Sequence, residues 1–166
     1  MENTQTLNDK KILVVDDEPD VVESLEELLE DTFLVDTASS FEEAVACLKN
    51  NTYDAAVLDI MGVSGYDLLE ATYTLGIPTL MLTAHALSPD NLKKSIELGA
   101  DAYIPKDKMV DISMYVEDVL MSRQNKKKNF KWYVKFMPLF DKFFGEGWKD
   151  PEKEFWDEFD KKHAEK

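Results

Sequence analysis

Five residues with a charge or a hydroxyl group stand at or just after the ends of short apolar runs: Asp16, Asp17, Asp59, Thr83 and Lys106. These apolar runs lie between amphipathic stretches, a pattern typical of buried parallel strands. Ligands bind at the carboxyl ends of the strands in an open α/β sheet, so we expect all five side chains at one edge of one sheet. Such a cluster can hold a hard divalent cation and a phosphoryl group.

The chemistry of this cluster follows from its donor atoms. Mg²⁺ takes octahedral oxygen ligands at about 2.1 Å, and Asp17 and Asp59 are the best direct ligands, with Asp16 acting through water. One carboxylate can attack a phosphoryl donor while the cation and Lys106 neutralise the transferring oxygens. Thr83 offers a hydroxyl to a phosphoryl oxygen.

The elements that must position these residues form five repeats of strand and helix. The predicted strands are Lys11–Val15, Phe33–Asp36, Ala55–Leu58, Ile77–Leu82 and Ala102–Ile104. The predicted helices are Pro19–Glu30, a helix capped by Ser40, Tyr66–Thr74, a helix from Ser88 to Gly99, and Val110–Ser122. This alternation predicts an α/β fold with a doubly wound, five-stranded parallel sheet.

The composition changes near Asn125. Residues 130–166 contain all three Trp and seven of the nine Phe. Aromatic residues four apart define one face of a helix that Pro138 should bend or interrupt, and Asp150-Pro151 opens a second helix. We expect a C-terminal helical hairpin that buries its aromatic face on the rest of the chain or on a second copy. The face comprises Trp132, Phe136, Phe140 and Phe144.

Composition and charge exclude several classes of protein. The 166 residues carry a net charge of −15, which argues against nucleic-acid binding because phosphate contacts require a basic surface. Cys47 is the single cysteine, so an intrachain disulfide is excluded and a reducing cytoplasm is the expected compartment. The basic run Lys126–Lys128 is expected to be a solvated linker, and membrane contact is not expected.

Five segments of the α/β part form a recognisable set of motifs: Lys11-Ile-Leu-Val-Val-Asp-Asp-Glu18, Asp54-Ala-Ala-Val-Leu-Asp-Ile60, Gly65-Tyr-Asp-Leu-Leu69, Pro78 to Ala84 and Glu97-Leu-Gly-Ala-Asp-Ala-Tyr103. Through these segments, residues 10–123 resemble the CheY-like receiver domain of two-component response regulators, a flavodoxin-like fold. The resemblance implies Asp59 as phosphoacceptor, Thr83 and Tyr103 as switch residues, and Lys106 as the cation that pairs with the phosphoryl group. It also implies a Mg²⁺ site, with Mn²⁺ as an alternative ion, at Asp16, Asp17, Asp59 and the Met61 carbonyl.

Two departures from the family pattern stand out. Asp107 follows Lys106 where the family usually has Pro, so we expect a trans peptide bond there. The loop Ile60–Gly65 is shorter than the common pattern and lacks its Pro. Residues 124–129 are predicted as a linker and 130–166 as an aromatic extension; the family's common DNA-binding output domain is not found in this sequence.

The leading hypothesis is a phosphorylation-dependent signalling switch rather than an enzyme with a separate substrate. A sensor histidine kinase or phosphotransfer protein would donate a phosphoryl group to Asp59. The output would be a contact with another protein. One form of that contact would be a homodimer through the helix 4–strand 5–helix 5 face or the aromatic extension. A non-signalling scaffold that acts through the extension is an alternative. An Asp-based phosphohydrolase is disfavoured because Met61 stands where such enzymes carry a second Asp.

Overall fold

The computed structural model describes residues 7–84, 88–125 and 128–163. Lys126 and Lys127 of the predicted linker therefore lie outside the described residues, as do the last three residues of the extension. Within the described part the chain forms five strands and seven α-helices, with short 3₁₀ helices at Lys106–Asp111 and Asp150–Glu152.

The five strands form one parallel sheet in the order β2-β1-β3-β4-β5. The side chains of β3 and β4 are buried along their whole length because helices cover both faces of the sheet. The strands are β1 (Lys11–Val15), β2 (Leu34–Ala38), β3 (Ala55–Asp59), β4 (Thr79–Thr83) and β5 (Ala102–Pro105).

Five helices connect and follow the strands, and two further helices lie in the C-terminal extension. The helices of the α/β domain are α1 (Pro19–Leu29), α2 (Phe41–Asn50), α3 (Gly65–Thr74), α4 (Pro89–Glu97) and α5 (Ile112–Gln124). Helix α1 contacts α5 and helix α2 contacts α3, so the sheet is wound on both sides. The predicted five-stranded, doubly wound fold is confirmed.

Helix α2 shows how the sequence sets a helix start. The Ser40 hydroxyl accepts a hydrogen bond from the Glu43 backbone N–H at 3.1 Å, as the capping-box spacing predicts. The Glu43 carboxylate, however, accepts from the N–H and hydroxyl of Ser39 rather than from Ser40. The cap therefore spans one residue more than the motif suggests.

The C-terminal hairpin, residues 130–163, consists of α6 (Lys131–Phe144), the 3₁₀ turn and α7 (Lys153–His163). Of the two effects expected of Pro138, to bend or to interrupt the first helix, interruption does not occur, because α6 is one element across it. Pro138 and Val134 both lie on the solvent side, where water can satisfy the backbone carbonyl that proline leaves unpaired. Helix α6 contacts β5, so the aromatic face packs on this chain's own α/β domain.

No helix among the described residues is long and apolar enough to cross a membrane.

Candidate functional site

Lys106 occupies the centre of the acidic cluster at the carboxyl edge of the sheet. Its ammonium nitrogen lies 3.1 Å from Asp16 Oδ2, 3.2 Å from Asp59 Oδ1 and 3.0 Å from Glu18 Oε1. These three acids come from the ends of β1 and β3, and Lys106 comes from the end of β5, so the sheet order alone brings them together. The sequence reasoning placed Asp16, Asp59 and Lys106 correctly at one edge.

Glu18 is a member of this cluster that the sequence reasoning missed. Glu18 directly precedes the first residue of α1, but its side chain makes no capping hydrogen bond and instead accepts a hydrogen bond from Lys106. Its backbone N–H donates to Asp16 Oδ1 at 2.9 Å, which fixes the Asp16 carboxylate. The sequence does contain a signal for this role, because Glu18 directly follows Asp16 and Asp17 at the end of β1.

Asp16, Asp17 and Asp59 form a group suited to a metal ion. One carboxylate oxygen from each lies within 4.8 Å of the others, and Asp16 and Asp59 are buried while Asp17 is exposed. Three hard oxygen donors at this spacing fit Mg²⁺, which keeps several waters when it binds to few carboxylates. The three acids that the sequence predicts as carboxylate ligands of Mg²⁺ therefore lie together.

Two glycines allow the loop after β3 to pass close to these acids. Gly62 adopts a positive φ of 86°, and a Cβ there would stand 2.5 Å from Asp17 Oδ2. A Cβ on Gly65 would overlap the backbone carbonyl of Asp59. The short loop thus depends on glycine at both positions to leave the carboxylates in place.

Burial and mutual repulsion make the buried carboxylates easier to protonate. Burial raises the pKa of Asp59 to about 6, the charge of Asp16 adds to the rise, and Lys106 opposes it. Burial also raises the pKa of Asp16, against the hydrogen bond from Glu18 and the charge of Lys106. Burial disfavours the Lys106 ammonium, but its bonds to Asp16 and Glu18 outweigh this and raise its pKa. A divalent cation would relieve the repulsion between the carboxylates.

Thr83 and Tyr103 lie behind the acidic cluster, towards the C-terminal hairpin. The Thr83 hydroxyl is buried and donates to the Ala84 carbonyl oxygen at 3.0 Å. The Tyr103 side chain is 1% exposed, and its ring lies 5.9 Å from Phe140 and 6.4 Å from Trp132, measured between centroids. Both predicted switch residues are therefore next to one another and to the hairpin.

The loop after β5 has the trans peptide bond that is expected where Asp107 replaces the Pro of the family pattern. The Lys106–Asp107 peptide bond is trans, and Lys106 begins the 3₁₀ helix that leads into α5. Met61, in the loop after β3, is 61% exposed.

Comparison with known proteins identifies the α/β domain. The family model of the response regulator receiver domain matches residues 12–117. The chain belongs to the response regulator receiver family. Its receiver domain is a phosphorylation-dependent signalling domain, and the matched residues end before the C-terminal hairpin.

Solved structures and curated proteins agree with this assignment. A CheY-like receiver from Methanospirillum hungatei is 30% identical, covers 71% of this chain and 98% of its own, and superposes with a TM-score of 0.66. The transcriptional regulatory proteins TcrA of Mycobacterium tuberculosis and CpxR of Escherichia coli are 37% and 40% identical over 58% of this chain. The chain spans 40% and 42% of the length of these two relatives.

Proposed function

We propose that this receiver accepts a phosphoryl group on Asp59 from the phosphohistidine of a sensor kinase or a phosphotransfer protein. The observation that carries the proposal is the position of Lys106, whose ammonium lies 3.2 Å from Asp59 Oδ1. An ammonium group at that distance can pair with the Asp59 carboxylate before the transfer and with the phosphoryl oxygens after it, so it can stabilise the negative charge throughout.

Asp59 is the best acceptor among the clustered acids. Asp16 is fully buried, with one oxygen bonded to the Glu18 N–H and the other against Lys106. Asp17 is exposed and has no contact with Lys106 among the ion pairs of the described residues. Asp59 ends the central strand, retains 5% exposure and contacts Lys106, so a donor can reach it while the cation is in place.

The transfer itself needs few groups. An Asp59 carboxylate oxygen attacks phosphorus, the P–N bond to the donor histidine breaks, and the imidazole leaves with the bonding electrons. Asp16, Asp17, Asp59 and the Met61 carbonyl would hold Mg²⁺, with Mn²⁺ as an alternative. The ion would neutralise charge on the phosphoryl oxygens. Lys106 would then pair with the new phosphoryl group, which carries a charge of about −1.5 to −2.

The output of the switch is proposed to be a protein contact. The Thr83 hydroxyl would turn from the Ala84 carbonyl to a phosphoryl oxygen, and the adjacent Tyr103 would respond. The curated relatives above are named as transcriptional regulators, but the net charge of −15 makes this chain itself a poor ligand for DNA. A cytoplasmic location stays a prediction from the sequence.

Acetyl phosphate with Mg²⁺ tests the proposal. We expect mass spectrometry to show one added phosphoryl group on the wild type and none on Asp59→Asn, with acetate as the product of the P–O bond that breaks. Asp31→Asn is the matched control, because Asp31 is exposed and outside the cluster, and it should label like the wild type. Equal labelling of Asp59→Asn would contradict the assignment, and no labelling of the wild type would favour the non-signalling scaffold.

A further inference from the structure

The C-terminal hairpin covers the α4–β5–α5 face of the receiver with aromatic side chains. Trp132 and Phe140 flank Tyr103 of β5, and Phe136 packs edge-on against Tyr115 of α5 at 5.5 Å. All three residues of α6 are at most 5% exposed. The face on which the proposed signal emerges is therefore already occupied by this chain's own helix.

The same helix reaches the switch residues directly. Thr83, Ala84, Tyr103 and Pro105 from the receiver share a small cavity with Phe140, Phe143 and Phe144 of α6. Any movement of the Thr83 hydroxyl or of the Tyr103 ring changes the wall on which α6 packs. The ends of β4 and β5 and the aromatic face of α6 thus line one cavity.

The interface leaves polar groups unpaired. The hydroxyl of Tyr103 and the indole N–H of Trp132 are buried without a hydrogen-bond partner among the described residues. Thr83 neighbours the Tyr103 hydroxyl but gives its own proton to Ala84. Unpaired buried polar groups oppose docking, because water would satisfy them if the hairpin left.

The inside of the hairpin is, by contrast, well paired. The Tyr133 hydroxyl donates to Asp160 at 2.6 Å, the Trp148 indole N–H donates to Asp141 at 2.7 Å, and Lys149 pairs with Asp160 at 2.8 Å. The rings of Tyr133 and Trp156 stack at 6.0 Å. These contacts join α6 and α7 to each other without the receiver, so the hairpin can move as one body.

Few polar contacts fix the hairpin to the receiver. Lys93 of α4 pairs with Glu152 at 2.8 Å and lies over the Phe155 ring at 5.1 Å. Lys128, just before the hairpin, donates to the Gly99 carbonyl at 3.0 Å. Because Glu152 is 47% exposed in its side chain, water screens its ion pair, and packing against Tyr103 and Tyr115 supplies most of the attraction.

We propose that the C-terminal hairpin is a detachable cover of the α4–β5–α5 face, and that phosphorylation of Asp59 weakens its docking through Thr83 and Tyr103. The inference rests on the proposed function. When Thr83 turns to the phosphoryl group, it vacates space beside Tyr103; the ring moves into that space and withdraws from Trp132 and Phe140. The uncovered face and the aromatic side of α6 then become available to the downstream protein partner.

Hydrogen exchange on the full chain tests this linkage. Beryllofluoride with Mg²⁺ serves as a stable analogue of the phosphoryl group, and peptides from α6 report docking. We expect their exchange to rise about fivefold or more in the wild type, a common size for coupling between two sites. Asp59→Asn should show no change.

Linkage is reciprocal, which gives a second measurement. A variant that loosens the hairpin should bind beryllofluoride more tightly, by at most the factor by which beryllofluoride favours undocking of the hairpin. Phe140→Ala is that variant, and Val134→Ala on the exposed side of α6 is its matched control, expected to bind like the wild type. Unchanged affinity in Phe140→Ala would overturn the linkage.

A charge reversal covers the case in which Phe140→Ala does not fold. Lys93→Glu and Glu152→Lys should each raise the exchange of α6 modestly, because the ion pair is partly screened by water. The double variant should lower the exchange part of the way back, because the ion pair is re-formed with its signs reversed while the contact of Lys93 with the Phe155 ring is lost. Beryllofluoride that binds without changing the exchange of α6 would overturn the linkage and leave the proposed function intact. If Asp59 is neither phosphorylated by acetyl phosphate nor bound by beryllofluoride, both the linkage and the proposed function are overturned.

Discussion

Asp59 is held as a carboxylate in a place that disfavours its charge. Burial and Asp16 raise its pKa to about 6 in the folded chain, above the ordinary value that it regains on unfolding. Without a divalent cation, the ionised group therefore destabilises the fold above about pH 6. That penalty fades as the pH falls through 6 towards 4, because the folded chain takes up the proton first.

Replacement of Asp59 by a neutral side chain should therefore stabilise the fold at a pH at which the carboxyl is ionised. In a chelator at pH 8, Asp59→Asn should raise the free energy of unfolding by about 1–2 kcal/mol, since each pKa unit represents about 1.4 kcal/mol and Lys106 loses one partner. The gain should shrink towards zero near pH 4. Urea unfolding of both proteins at several pH values measures it. A pH-independent difference between the two would show that the Asp59 carboxyl is not perturbed as described.

Asp17 is the exposed acid of the cluster, and its role can be separated from that of the buried pair. Asp17→Ala should weaken Mg²⁺ binding at least about tenfold, because a direct ligand is lost. The affinity of the wild type should also fall at acid pH, since the ligands must be ionised. Calorimetry measures both effects, with Asp20→Ala in the first turn of α1 as the control. Equal affinity in Asp17→Ala would remove Asp17 from the ligand set.

At the scale of elements, α6 is the helix that packs the hairpin on the receiver. Phe136 is 2% exposed and meets Tyr115 of α5 edge-on. Phe136→Ala should cost about 3–5 kcal/mol of interface packing, because the cavity would be lined by side chains that cannot collapse into it. Val134→Ala on the exposed side should stay within about 0.5 kcal/mol of the wild type. Chemical unfolding measures both, and equal stability of the two variants would show that α6 does not pack on α5.

The sequence predicts most of the sheet because its signals are local. Apolar runs that end in Asp16, Asp59 and Thr83 define three strands and, through the edge rule for parallel sheets, most of the site. Strand bounds differ where pairing decides them: β2 continues to Ala38 because Ala38 pairs with Val15. Such a partner lies far along the chain and leaves no local mark.

Contacts between residues that are far apart in the sequence could not be predicted from the sequence. Glu18 meets Lys106 across 88 residues, and which of several acids a lysine contacts depends on side-chain geometry. The spacing of aromatic residues in α6 predicts a buried stripe, but it does not say which face receives it. That choice follows from the fit of Trp132 and Phe140 around Tyr103, which appears only once the sheet is assembled.

For the whole molecule, the receiver and the C-terminal hairpin are stabilised by the same contacts. The hairpin is too short to form a stable core alone, and its α6 face needs the α4–β5–α5 surface as much as Tyr103 and Tyr115 need cover. Each large apolar side chain gains about 1.5–3 kcal/mol on burial. Removal of the hairpin is therefore expected to affect the receiver as well.

Truncation after Gln124 tests this dependence. The truncated receiver should unfold at a lower denaturant concentration and bind the dye ANS, because Tyr103 and the α5 face become exposed as one apolar patch. Light scattering should show either a monomer or a dimer that covers the patch with a second copy. The full chain with Val134→Ala controls for a mild change on α6 itself. A truncated protein of unchanged stability and mass that binds no dye would show that the hairpin does not cover the receiver in solution.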